Sequence, residues 1–237
     1  MIARHNLISK IKSIDGFLRD DEALLLFDLA KKTPGQQAIA EIGSWKGKST
    51  ICLSSGSKLG TNSPVYAIDP HTGSPEHRQL AKKVNTFTQF KLNLKRTQTD
   101  KLVTALKTTS FLASKKFNKP IKLLFIDGDH SYQAVKQDFL NWSPKLIDGG
   151  FVVFHDTISW PGPRRLVLEK IYPSSHYKNI KLLGSITYAQ KTSNLTLIDK
   201  CKNYYSLHIR YLRNFFAALT LPTPLRFLAK SALQIIQ

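Results

Sequence analysis

The sequence is short of acid, of sulfur and of long apolar runs. Of its 237 residues, 16 are Asp or Glu against 35 Lys or Arg, a formal net charge of +19. Two cysteines, Cys52 and Cys201, exclude a disulfide scaffold and a cysteine-rich zinc site, and make a reducing cytosol the expected compartment. No stretch approaches the roughly 18 apolar residues of a membrane-spanning helix. Segment 1–20 is charged throughout and lacks the apolar centre of a secretory signal. Internal repeats and low-complexity tracts are missing too, which sets aside solenoids and propellers. Neither the G-x-G-x-x-G turn nor the G-x-x-x-x-G-K-[ST] phosphate loop occurs.

What is present is a chain of 42% hydrophobic content, enough for one large α/β domain with appendages and too short for two enzyme domains. The positive charge attracts polyanions such as nucleic acid, anionic lipid or phosphorylated substrates. Its lysines are spread along the chain rather than massed, so a solvated basic surface explains the charge equally well.

Apolar runs alternating with helical patterns predict a parallel sheet covered on both faces. Strands are expected at 38–42, 65–69, 102–106, 121–127 and 151–154, the last launched by Asp148-Gly149-Gly150. Tyr132, Val135, Phe139 and Trp142 share one helical face, with Ser131 as N-cap and Ser143-Pro144 as the stop. Asp20–Ala30 is expected as a helix with Leu24, Leu25, Phe27 and Leu29 on its apolar side, and 163–171 as another. Segments 180–183 and 186–189 predict two strands joined at Gly184-Ser185, an antiparallel closure of a mixed sheet. The domain layout is a helical lead-in (1–36), a central α/β domain (37–193) and a basic helical extension (194–237).

In an open parallel sheet, ligands bind outside the carboxyl ends of the strands. Four polar clusters are expected there. Glu41-Ile42-Gly43-Ser44-Trp45-Lys46-Gly47 is a glycine turn through which backbone can approach a ligand. Its acid repels a pyrophosphate and suits a cationic ligand; the alternative is a tight turn with a surface glutamate. Asp69 ends the second strand, where a carboxylate can accept both hydroxyls of a ribose. Asp127-Gly128-Asp129-His130 brings oxygen ligands for a hard cation and an imidazole suited to proton transfer. Helix capping is the alternative role of Asp129 and His130. His155-Asp156 ends the adjacent strand, so Asp127 and Asp156 can face one another across a cation, whereas imidazole suits transition metals better.

EIGSWKGKST (41–50), YAIDPHTG (66–73), LLFIDGDHSYQAVKQDF (123–139) and GGFVVFHDT (149–157) together resemble the class I S-adenosylmethionine-dependent methyltransferases. The resemblance covers about residues 14–192 and is greatest to the "methyltransferase domain 24" group that includes macrocin-O-methyltransferase-like enzymes. It implies a Rossmann-like, seven-stranded, mostly parallel sheet with helices on both faces and an antiparallel C-terminal hairpin strand. It further implies that Glu41, Gly43, Ser44 and Gly47 surround the methionine part of the donor, that Asp69 holds its ribose and that Thr109-Ser110 lie near its adenine. Asp127 also counts among the donor-binding positions. Metal-dependent members imply a magnesium or other divalent site at Asp127 and at His155-Asp156 or Asp156-Thr157, and a base at Asp129 or His130. The implied reaction is O-methylation of a sugar, glycan or small natural-product-like metabolite. RNA methylation and a non-catalytic donor-binding scaffold remain the alternatives.

Residues 202–237 contain no acid, and basic residues such as Arg210, Arg226 and Lys230 are interleaved with Tyr204, Tyr205, Tyr211 and Phe227. Pro222 and Pro224 split the segment into two expected helices. Such a helix packs on the domain or on a homodimer partner, or lies on an anionic membrane surface. The expected location is therefore cytoplasmic, with peripheral contact at the inner membrane as the variant.

Overall fold

The computed structural model describes residues 2–74 and 84–218. Seven strands form one sheet: β1 (Ala38–Ile42), β2 (Val65–Ile68), β3 (Val103–Leu106), β4 (Ile121–Ile126), β5 (Leu146–Phe154), β6 (Tyr177–Leu183) and β7 (Ile186–Lys191). Their spatial order is β3-β2-β1-β4-β5-β7-β6. Strands β1 to β5 pair in parallel, and β7 runs antiparallel to both β5 and β6. The expected Rossmann-like, mostly parallel sheet is thus what the chain forms.

Two differences concern strand starts. β5 begins at Leu146, five residues before the expected Phe151, because Leu146 pairs with Ile121 before an irregularity shifts the register to Leu123–Phe151. The Asp148-Gly149-Gly150 segment is therefore inside the strand. β6 begins at Tyr177, held by pairing to Lys191.

The sheet has a core on each face. Ala38, Ala40 and Ile42 point to one, with Leu124, Ile126, Val152 and Phe154, under α5 (Ser110–Lys116), α6 (Tyr132–Trp142) and α7 (Pro161–Leu166, continued by a π-helical turn at Val167–Ile171). Trp142 is fully buried there. Ile39, Leu123, Phe125 and Val153 point to the other face. That face is covered by α1 (Ile2–Ile11), α2 (Asp20–Lys31), α3 (Lys48–Leu59) and α4 (Phe87–Arg96). Strand residues of alternate parity face opposite layers, so Glu41 points beneath α3 while Ile42 points the other way.

Helix α2 turns a different stripe inward than expected. Ala23, Leu26, Phe27 and Ala30 are buried with Glu22, while Leu24, Leu25 and Leu29 are only half-buried. Counting leucines selected the shoulder of the helix, and packing against α3 selected its small residues.

Helix α8 (Leu197–Ala218) packs on β6. Its Asn203 amide donates to the Tyr177 carbonyl at 2.8 Å. Arg210 is fully buried and donates to Thr187 Oγ1 at 2.9 Å and to the Thr157 carbonyl. Leu197, Ile198, Tyr204, Tyr205, Tyr211 and Leu212 stay exposed on its outer side. The split expected at Pro222 and Pro224 lies outside the described residues. No helix among the described residues is long and apolar enough to cross a membrane.

Candidate active site

The order of the sheet reverses direction between β1 and β4, and ligands bind at such a switch point. Here the strand ends extend the ladder by single bonds. The Gly43 amide donates to the Ile68 carbonyl (2.9 Å), the Asp127 amide to the Ile42 carbonyl (2.8 Å) and the His155 amide to the Ile126 carbonyl (3.1 Å). Each polar strand tip is thereby held beside the next. Above them opens a cavity of about 500 Å³, lined by the glycine loop, Asp69, Thr109-Ser110, the 127–130 loop, Asp138 and His155-Asp156. Its remaining wall is the Asp15–Leu18 loop, which enters through an ion pair of Asp15 with Lys46 at 2.5 Å.

Gly43 has φ +84°, and a Cβ there would overlap the carbonyl of Asp127. The glycine therefore permits the close approach of the β1 and β4 loops. Beyond it Trp45 adopts φ 46° and lines the cavity. Asp156 adopts φ 55° on the opposite wall. Left-handed backbone is rare and costly outside glycine, and these two residues are held in it by the loops that shape the cleft.

Asp69 is more occupied than a free ribose acceptor. Its Oδ2 accepts the Ser44 and Trp45 amides, both at 2.8 Å, and its Oδ1 accepts the His71 amide at 2.6 Å. A carboxylate offers about four acceptor positions, so about one is left for a hydroxyl rather than the expected pair. Asp69 is also the clamp that shapes the glycine loop.

Glu41 does not reach the cavity. Thr50 Oγ1 donates to it at 2.5 Å beneath α3, and burial pushes its carboxyl up to about 8, against the hydroxyls of Ser49 and Thr50. It is a neutral, internal brace of the turn at ordinary pH. Gly43, Ser44, Asp69, Thr109, Ser110 and Asp127 all line the cavity. Gly47 sits behind it as the first residue before α3. Thr109 caps α5, and Ser110 donates to Asp138. Burial pushes the Asp138 carboxyl up to about 6 despite that bond, and Asp129 adds repulsion.

The polar cluster at the end of β4 and β5 is denser than its sequence shows. Asp127 Oδ1 lies 3.1 Å from His155 Nδ1, which is 3.3 Å from Asp156 Oδ2; Asp156 Oδ2 is in turn 3.4 Å from His130 Nε2. Asp127, His130 and Asp156 each bring one donor atom within 4.8 Å of the others. His130 stacks on Trp160 at 4.4 Å between ring centroids. The imidazole expected as a base thus joins the cation-type cluster. His155, expected as a ligand, is buried and points its Nε2 away from the cleft, 3.3 Å from Glu22 Oε2. Asp129 lines the cavity with Oδ1 accepting the Ser131 amide at 2.7 Å, and Ser131 caps α6 as expected.

Glu22 is the residue that sequence reasoning missed. Its Oε1 accepts the Ser185 amide (2.6 Å) and hydroxyl (2.8 Å), and its Oε2 accepts the Arg19 amide (3.0 Å) besides facing His155. Gly184 is needed beside it, at φ +61°, because a Cβ there would overlap Glu22. Burial opposes its charge, yet His155 and the Ser185 and Arg19 amides bring its carboxyl down to about 2. Burial likewise opposes a charged His155, but Asp127, Asp156 and Glu22 around the ring raise it far above the usual imidazole range. Burial would raise Asp156 as well, and the bonds from His130 and His155 overcome it to hold the carboxyl well below its ordinary value. An acid in the first turn of a helix reads as dipole compensation; nothing local reveals that a strand end 133 residues away meets it.

Two carboxylates and an imidazole converging in this way fit a divalent cation. Nδ1 of His155 strengthens that fit, being buried and aligned for a hydrogen bond with no neighbour.

Residues 40–157 match the family described as a methyltransferase domain. Among curated proteins, y4gI of Sinorhizobium fredii is 30% identical over 129 residues, covering 50% of this chain and 13% of that protein. A protein of Acanthamoeba polyphaga mimivirus is 29% identical over 119 residues, 49% of each chain. The chain thus spans half or less of the length of these relatives. Among solved structures, the O-methyltransferase NovP superposes with a TM-score of 0.60 at 17% identity, over 80% of this chain and 79% of that one. The O-methyltransferase TomG of Streptomyces achromogenes, in complex with S-adenosylmethionine, gives 0.57 at 17% identity over 81% and 90%. These likenesses are of fold.

Proposed function

Since the chain carries a class I S-adenosylmethionine-dependent methyltransferase domain over residues 40–157, we propose that it transfers the donor's methyl group to a hydroxyl of a small acceptor, such as a sugar or natural-product-like metabolite. One observation carries the reading. A single cleft joins the glycine loop and Asp69, suited to the donor, to the polar cluster of Asp127, His130 and Asp156, suited to an acceptor hydroxyl. Phe17, 80% exposed at the cavity wall, offers an apolar face to the acceptor.

The sulfonium methyl is already activated, so the protein must align the acceptor oxygen and remove its proton. Gly43 to Trp45 and Thr109-Ser110 bind and orient the donor, with the last acceptor position of Asp69 on its ribose. Asp129 keeps one carboxylate oxygen on the Ser131 amide and takes the proton on the other. A divalent cation held by Asp127, Asp156 and His130 would polarise the hydroxyl and lower its pKa.

Calorimetry of S-adenosylmethionine with the wild type and Asp69→Ala tests the donor site. Expected is micromolar binding, weakened at least about tenfold in the variant, since hydrogen bonds to a charged group contribute roughly 1.5–3 kcal/mol. A folded wild type that binds no donor refutes the reading. With an acceptor in hand, Asp129→Asn lowers kcat by about 10²–10⁴ and leaves donor affinity in place.

A further inference from the structure

The cluster's composition and spacing say more than that a cation fits. His155 has two nitrogens with different surroundings. Nε2 faces the ionised carboxylate of Glu22 at 3.3 Å. A carboxylate in that state only accepts, so Nε2 carries the hydrogen. Nδ1 is then the nitrogen turned to the cleft, between Asp127 Oδ1 (3.1 Å) and Asp156 Oδ2 (3.3 Å), and it aligns with neither as a hydrogen bond. A ring nitrogen aimed between two carboxylate oxygens is placed to share a third partner with them.

The spacings identify that partner. Donors about 2.1 Å from a metal ion stand about 3.0 Å apart at right angles and about 3.4 Å apart in a tetrahedron. The neighbouring donor pairs here, Asp127–His155, His155–Asp156 and Asp156–His130, are 3.1, 3.3 and 3.4 Å apart. Two imidazole nitrogens and two carboxylate oxygens make a set suited to first-row transition ions; magnesium favours oxygen donors and water. The Glu22–His155 pair also has the form by which ligating histidines are oriented in metal sites, a carboxylate on the far ring nitrogen.

We infer that Asp127 Oδ1, His155 Nδ1, Asp156 Oδ2 and His130 Nε2 form a site for a first-row transition-metal ion rather than for magnesium, with Glu22 of α2 as the residue that positions His155. The site rests on the methyl-transfer reading only for its use, which is to hold an acceptor hydroxyl beside the donor. Glu22 is a positioning residue: it touches the ring, not the ion. It couples the N-terminal helix to the cleft through a single side chain, and the left-handed turn at Gly184 exists to admit it.

The test titrates cobalt(II) and magnesium into the metal-stripped full chain and into Glu22→Gln and His130→Ala. Folding of each is checked by thermal melting, and S-adenosylmethionine binding is measured on the same samples. Expected for the wild type is one cobalt ion bound at least about 100-fold more tightly than magnesium, with two hyperfine-shifted exchangeable imidazole N–H resonances. His130→Ala loses one of them. Glu22→Gln binds cobalt about 10–100-fold more weakly, the usual effect of removing an outer partner of a metal-bound histidine. Magnesium binding as tightly as cobalt, no cobalt bound by the folded wild type, or cobalt affinity unchanged in His130→Ala overturns the inference. Should Glu22→Gln fail to fold, His130→Ala and the resonance count decide alone. Donor binding without cobalt binding sinks the metal site and leaves the methyl-transfer reading, and cobalt binding without donor binding does the reverse.

Discussion

At the residue scale, the cleft is built from groups held against their ordinary preferences. Asp138 is buried beside Ser110 with its carboxyl raised to about 6 from a model value of 3.8. The folded chain keeps this proton over that interval and the unfolded chain releases it. Its stabilising share is therefore full below the unfolded value and is lost as pH rises through about 6. Urea unfolding at pH 4 and pH 7 should show the wild type losing about 2–3 kcal/mol more than Asp138→Asn, which has no proton to lose. Equal losses would show that Asp138 is ionised in the folded protein. Gly43→Ala places a Cβ on the Asp127 carbonyl at a left-handed φ. Donor affinity should fall at least about tenfold, with roughly 1–3 kcal/mol of stability lost, because two backbones must separate at the floor of the cleft.

At the scale of elements, two helices from opposite ends of the chain meet the same strand end. α2 sends Glu22 to His155, and α8 sends Arg210 to the carbonyl of Thr157, the residue after Asp156. Burial holds the Arg210 guanidinium below its usual range, and the bonds to Thr157 and Thr187 compensate its desolvation. Arg210→Ala should lower the unfolding free energy by about 1.5–3 kcal/mol. Arg210→Lys should restore only part of this, since an ammonium lacks the planar fork that reaches both acceptors. Urea midpoints for the three proteins check this; full restoration by lysine would reduce the contact to a simple point charge. Helix α8 is thus part of the support of the cleft, as the packed-helix expectation for the C-terminal segment holds, while its outer row of Leu and Tyr residues remains exposed.

At the scale of the molecule, a net charge of +19 is a standing self-repulsion that salt screens over a Debye length of about 10 Å at 0.1 M. The thermal midpoint should rise by a few degrees between about 20 mM and about 0.3 M sodium chloride; a fall would mean that ion pairs such as Asp15–Lys46 outweigh the repulsion. The architecture was legible in the chain itself. Strands such as Ile121–Ile126 are local apolar runs, the helix from Tyr132 to Trp142 repeats along one face, and Ser131 announces its start. The glycine turn, Asp69 and the two acidic strand tips could be placed at one edge because parallel strands bring their carboxyl ends together. Direction was not legible. Alternation turns Glu41 under α3 and away from the cleft, the loop amides absorb most of Asp69, and the twist past β5 exchanges the expected places of His130 and His155. Glu22 lay furthest from view. Its own neighbourhood describes a helix start, and its partner is set by how α2 packs across the sheet, a long-range contact that no local pattern encodes.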